Sequence, residues 1–305
     1  MSKENVIIID KTLVVLDLLY GEKIRKKIPL VIKFINLLHQ IGSDFIEVPR
    51  GLYEDLNFVQ EEIKFIISEE LIEIQGEING NYEESVESYY KHIDNLRIAG
   101  LDNIIFYDYN KIFIDIIKRF GNSVQMCIKN KYFCAIAMSL EWIRLGGEKI
   151  VTTFSGIGGY TSLESVLGSL EFLENMQPKG NYVLFPDILE LFEEITDIKI
   201  EPNAPFIGKD IFNVESGIHV NGIVKNPSTY EPYDPGKIGR KRKIIIGKHS
   251  GISALEIKLK ELHIEYNNKN LSNILEKIRI ISTQNKRGLD DDEIKQLFKS
   301  CGNFK

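Results

Sequence analysis

The stretch VIIIDKTLVVLDL, Val6–Leu18, opens with four apolar residues that run into a carboxylate and a lysine, Asp10 and Lys11. A short apolar run bounded by polar residues is the mark of a buried strand. Glu22–Ile41 then carries a helical period ended at Gly42, and Asp44–Val48 is the next strand, stopped by Pro49. Outward from there the alternation continues. Leu71–Gln75, Asn103–Tyr107, Val124–Ile128 and Lys149–Thr153 read as strands, and Tyr82–Ala99, Lys111–Phe120, Ala135–Leu145 and Ser162–Asn175 as helices. Strands alternating with helices through short links imply parallel strands joined by right-handed crossovers. The expectation is an α/β chain forming a (β/α) barrel of the TIM type. Val48 to Leu71 leaves space for about one strand–helix unit, so the barrel should be shortened or interrupted there.

The pattern changes after Gln177-Pro178. Pro186–Ile195 is a further helical segment with proline in its first turn, where its missing N–H costs nothing. Phe212–Gly251 is rich in Gly, Pro, Tyr and His, and helical periods return at Ser253–Leu262, Leu271–Ser282 and Asp290–Lys299. The predicted organisation is a degenerate barrel over 1–177, a last barrel helix and linker over 178–210, and a small helical post-barrel subdomain over 211–305.

With 305 residues, 43% hydrophobic and 27% charged, the chain has the composition of a globular protein with a substantial core. A net charge of −6 argues against a nucleic-acid binder. The basic run Lys237–Lys243 is read first as a solvated face. No apolar stretch nears the roughly 20 residues that span a bilayer. No signal peptide is visible at the N-terminus. Cys127, Cys134 and Cys301 are odd in number and scattered, as in a reducing compartment, so a cytoplasmic location is expected. Cys127 and Cys134 make an unconvincing metal pair. SGIGG, Ser155–Gly159, follows a strand but lacks the Lys-Ser/Thr ending of a phosphate loop.

Three anchors stand in order beyond residue 212: SGIHVNGI at 216–223, NPSTYEPYDP at 226–235 and GKHSG at 247–251. This segment resembles the post-barrel region of homocitrate and isopropylmalate synthases, with nitrogen-fixation homocitrate synthases the nearest likeness. IGSDFIEV, Ile41–Val48, resembles the second strand of that family, and Ile278–Phe298 its C-terminal helices. The chain stops at Lys305 without a leucine-sensing domain, which favours the short homocitrate type.

The resemblance implies a Claisen-type condensation of acetyl-CoA with a 2-oxo acid at a divalent metal. At the metal positions, however, this chain departs from the family. The family reads DTTLRDGEQ where Asp10–Leu18 reads DKTLVVLDL. Its enolate-stabilising Arg becomes Val14, its metal-binding Asp becomes Val15, and its Gln becomes Leu18. The His-x-His ligands on the seventh strand become Cys127 and Lys129, the metal-site Asn becomes Ser155, and a Glu-Arg pair becomes Gly159-Tyr160. A protonated lysine repels a divalent ion. The barrel should therefore hold no catalytic metal, and Asp10 is assigned a structural role.

The post-barrel anchors are intact by comparison. His219 and Tyr230 match family positions that act in proton transfer, and Glu215 matches the acidic neighbour of that histidine; Val214 replaces a further histidine. His249 and Arg240 could contact CoA phosphates, although GKHSG reads first as a tight turn. In this family the post-barrel subdomain of one protomer reaches over the barrel mouth of another. The chain is therefore expected to be a homocitrate synthase subunit of the alpha kind. It would complete the site of a catalytic barrel partner that holds the metal, in a hetero-oligomer or, failing that, a homodimer. The alternative is a non-catalytic pseudoenzyme acting as a structural or regulatory partner.

Overall fold

The computed structural model describes residues 6–56, 60–76, 95–215, 219, 222–223 and 225–300. The chain divides into two compact units after Gly208.

In the first unit the strands are β1 Ile7–Asp10, β2 Phe45–Val48, β3 Phe65–Ile67, β4 Ile72–Gly76, β5 Leu96–Gly100, β6 Gln125–Ile128 and β7 Lys149–Thr152. They form one parallel sheet in the order β3-β2-β1-β7-β6-β5-β4. The described helices of six or more residues are α1 Thr12–Tyr20, α2 Ile28–Gln40, α3 Arg50–Asp55, α4 Tyr109–Phe120, α5 Ala135–Arg144, α6 Leu163–Phe172 and α7 Phe185–Thr196.

The sheet cannot be flat. Its two edges, β3 and β4, are joined by Ser68–Leu71 alone, and a link of that length reaches at most roughly 18 Å. Six strand spacings in a flat sheet would separate the same edges by roughly 29 Å. Arg97 on β5 and Glu47 on β2 lie four strands apart in the order, yet their charged groups meet at 2.6 Å. The seven described strands therefore form a curled half-barrel sheet, consistent with a TIM-like barrel, with a gap between β3 and β4. No helix returns the chain from β3 to β4, where the link is a single 3-10 turn.

Side-chain alternation gives each strand two faces. Ile98, Met126, Ile128 and Ile150 face the helices, where they pack with Phe113 of α4 and Trp142 of α5. Ile9, Ala99, Cys127 and Val151 face the barrel interior. On the far side α2 and α7 bring Phe34 and Phe192 together, with ring centroids 6.1 Å apart.

Two expected elements are corrected. Leu96–Ala99, placed at the end of a helix, belongs to β5; the inward Arg97 breaks the apolar run that marks the other strands. Asn103–Tyr107, placed as a strand, holds a 3-10 turn at Ile104–Phe106, because β5 already fills the position beside β6. Positions 82–94 of the expected helix lie outside the described residues. The helix α1 is an addition to the expected set.

The second unit pairs β8 Asn213–Val214 in parallel with β9 Lys243–Ile244. Helices α8 Ile252–Glu261, α9 Leu271–Asn285 and α10 Asp291–Ser300 close a small core around Ile246, Leu255, Ile278 and Phe298. A capping box starts α10: Glu293 N–H donates to Asp290 Oδ1 at 2.8 Å, and Asp290 N–H donates to Glu293 Oε2 at 2.9 Å.

Candidate functional site

Each metal-site position of the family is occupied here by a group that is committed elsewhere. Val15, on α1, is buried, and a Cβ placed on Gly158 would come within 2.8 Å of its Cγ1. The Val15 side chain therefore lies directly under the SGIGG loop. Burial pushes the Cys127 thiol up to about 11, against the pull of Arg97 and Lys11, so it stays protonated and is a poor ligand. The Lys129 ammonium lies over the Tyr160 ring, 5.2 Å from its centroid. Ser155 N–H donates to the buried Glu164 Oε2 at 3.0 Å. This donor set does not fit a divalent metal. Among the described residues no group of three or more His, Cys, Asp and Glu could hold one.

The loop is equally unsuited to phosphate. N–H groups of Gly156, Ile157 and Gly159 turn back to Thr153, Phe154 and Gly156 carbonyls, and Phe154 N–H donates to Thr12 Oγ1 at 2.7 Å. Ser155 holds a left-handed φ of 55°, costly for a non-glycine residue and fastened by Glu164.

Asp10 has the structural role expected of it. Its carboxyl accepts from Thr12 N–H and Thr12 Oγ1, both at 2.9 Å, and Thr12 in turn holds the chain after β7. Burial pushes Asp10 up to about 7 and Glu164 likewise to about 7. Both groups bind protons more tightly folded than unfolded. Their contribution is fully present below the unfolded carboxylate range near 4 and is lost as pH rises through about 7. The melting temperature should therefore fall between about pH 4 and pH 7, and Asp10→Asn should flatten that fall. An unchanged slope in Asp10→Asn by calorimetry would refute the assignment.

The barrel interior contains an ionic cluster that the sequence reading missed. Arg97, fully buried, pairs with Glu47 at 2.6 Å and Glu73 at 3.5 Å, and donates from Nε and Nη2 to Gln125 Oε1 at 3.1 and 2.8 Å. Lys11 reaches Glu73 at 3.1 Å and Glu47 at 3.9 Å, and lies 5.6 Å from the Tyr160 centroid. Burial works to lower the Lys11 ammonium, but Glu47 leads the opposing effects and leaves it above its ordinary value. The available signal was a charge at an inward position of an apolar strand, in FIEV and in LRIAG.

In the second unit the rings of His219 and Tyr230 are in contact, centroids 4.6 Å apart and planes tilted by 45°. Both side chains are exposed. Tyr230 lies against Gly222, where an added Cβ would fall 2.1 Å from its Cε2. Gly222→Ala should displace the ring, and it serves as a test of whether the His219–Tyr230 pairing matters. If the pair is catalytic, kcat in the complete enzyme should fall by about tenfold, the scale of a small misplacement of a catalytic group.

Glu215 is not paired with His219 in the same way. Its Oε1 accepts from His249 N–H at 2.8 Å, while its backbone carbonyl accepts from Ser250 Oγ at 3.0 Å. Gly247 N–H donates to Ser250 Oγ and Lys248 N–H to Ser282 Oγ. Three consecutive amides of GKHSG thus have side-chain acceptors, and the His249 ring is left exposed. Gly247 is required there, since a Cβ would sit 2.7 Å from Glu215 Oε1. Arg240 is half-buried, and its neighbour Arg242 donates to Glu231 at 2.6 Å, so the basic run is partly committed.

Residues 206–286 match the family model described as homocitrate synthase post-HMGL domain-like. The chain is 31% identical to the homocitrate synthase omega subunit of Clostridium pasteurianum, across 87% of this chain and 88% of that one. It is 41% identical to a probable 2-isopropylmalate synthase of Ignicoccus hospitalis over 47% of this chain and 36% of the relative. With homocitrate synthase AksA of Methanocaldococcus jannaschii it shares 36% identity over 55% of this chain and 42% of the relative. The expected alpha designation is thereby corrected, because the relative that spans nearly the whole chain is an omega subunit. Among the described residues no helix is long and apolar enough to cross a membrane.

Proposed function

Because the chain belongs to the homocitrate synthase and isopropylmalate synthase family, we propose that it is an omega-type subunit of a multi-subunit homocitrate synthase. Its post-barrel unit would complete the active site of a partner. The observation that carries this reading is the exposed, paired His219 and Tyr230 in a chain whose own metal positions are filled. Acetyl-CoA and a 2-oxo acid, 2-oxoglutarate in the preferred reading, are the substrates. The divalent metal and the 2-oxo acid belong to the partner's barrel, and the product would serve nitrogenase cofactor assembly.

His219 then acts as general base or proton relay for the acetyl methyl group, and Tyr230 orients it or donates to a carbonyl. Glu215 is tied to the GKHSG loop through His249 N–H and Ser250 Oγ and so sets where that loop stands. The exposed ring of His249, with Arg240, would approach the CoA phosphates. Leu18, Phe106 and Phe133, in segments that follow β1, β5 and β6, are 83%, 66% and 91% exposed and give a partner apolar surface to bury.

The experiment is sedimentation of this chain with a partner barrel that carries the family's Asp and His-x-His ligands, combined with metal analysis of each chain. A hetero-complex is expected, with metal held stoichiometrically by the partner and well under one equivalent on this chain. A tightly held stoichiometric ion on this chain alone, or no complex at micromolar concentration, contradicts the reading.

A further inference from the structure

A cavity of about 240 Å³ opens beside the first residues of β2, β3, β6 and β7. Its apolar wall includes Phe45 and Ile66, and its polar lining is Asn95, Gln125 and Lys149, with Glu70 at the border. Cys127 and Val151 point into the barrel interior, so Gln125 and Lys149, two residues earlier on β6 and β7, point to the same side. The two are register partners, which places their side chains roughly 4.8 Å apart at the root.

Their hydrogen-bonding capacity is unequally used. The Gln125 carbonyl oxygen is saturated by Arg97, which leaves its Nε2 as a donor, and the residue is only 2% exposed. Among the described residues neither Gln125 Nε2 nor Lys149 Nζ has an acceptor, whereas Lys11 and Arg97 are both paired with carboxylates. Among the described residues the one carboxylate that borders the cavity, Glu70, is exposed and held by Arg50 at 2.7 Å. A buried amide donor beside an uncommitted ammonium, backed by phenylalanine and isoleucine, matches a carboxylate on a short apolar chain.

We propose that this cavity is a binding site for a short-chain apolar monocarboxylate, its two oxygens taken by Lys149 and Gln125 and its hydrocarbon lying against Phe45 and Ile66. Among the described residues Lys149 is the one cation lining the cavity, which suits one negative charge, and the cavity is smaller than the ~300–1,000 Å³ of drug-sized ligand pockets. The inference goes beyond the proposed function and does not depend on it, since the site lies within one chain and is tested without a partner.

The test is titration of the full chain, by calorimetry and saturation-transfer NMR, with isovalerate, its neutral isostere isovaleramide, and inorganic phosphate. Isovalerate should bind saturably, isovaleramide about tenfold or more weaker, and phosphate should not compete. Lys149→Met keeps the length of the side chain without its charge and should weaken isovalerate by about tenfold or more. Ile66→Trp should fill the cavity and abolish binding of both. Equal affinity for the acid and the amide, competition by phosphate, or no saturable binding would overturn the proposal. The first two comparisons use unmodified protein, so a variant that fails to fold leaves the decision intact.

Discussion

His219→Ala should lower kcat of the complex between this chain and its partner by about 10²- to 10⁴-fold, the usual contribution of a positioned acid or base. In the proposed composite site the proton taken from the acetyl methyl group needs an acceptor, and the exposed imidazole beside Tyr230 would supply one. KM for the 2-oxo acid should hardly change if, as proposed, the partner binds that substrate, and a loss confined to kcat is the signature of an interaction made in the transition state. Tyr230→Phe keeps the ring that lies against Gly222 and loses one hydroxyl, so its effect should be smaller. Lys129→Ala is the control: that ammonium lies over Tyr160 inside this chain's own first unit and should leave turnover near the wild-type value. Full activity in His219→Ala with none in Lys129→Ala would place the chemistry in this barrel instead.

Arg97→Met should cost the first unit about 3–5 kcal/mol, the largest stability effect expected of a single substitution here. Arg97 is fully buried and Glu47 is 1% exposed, so removing the guanidinium leaves a carboxylate in the barrel without its 2.6 Å partner. Lys11, 3.9 Å from Glu47, is already engaged with Glu73 and compensates in part. The double substitution Arg97→Met with Glu47→Met should recover much of the loss, because an apolar pair of similar volume avoids the desolvation that the ions pay for. Trp142, the single tryptophan, is fully buried in the first unit and reports its unfolding in urea by fluorescence. A single-variant loss below about 1 kcal/mol would mean that the cluster is hydrated rather than buried.

Much of the fold was legible because five of the seven strands are apolar runs that also meet turn signals. Strand β3 has only three residues, too few for any period to register. Strand β5 carries Arg97, whose charge is stabilised by Glu47 far away in sequence, and no local pattern announces such a partner. The link between β3 and β4 has no crossover helix, which the short spacing after Val48 did signal. His219, Tyr230 and Glu215 were found through motif likeness, not through periodicity. The tie from Glu215 to His249 N–H was not visible, because it depends on a turn folding back across the unit.

The most direct measurement of the composite-site account is release of CoA from acetyl-CoA across several 2-oxo acids, with each chain alone and then with this chain titrated into a fixed amount of partner. The account predicts negligible turnover from either chain alone and a rate that rises with added chain to saturation, strongest with 2-oxoglutarate. Turnover by this chain alone, or a partner whose rate is indifferent to its addition, would contradict it.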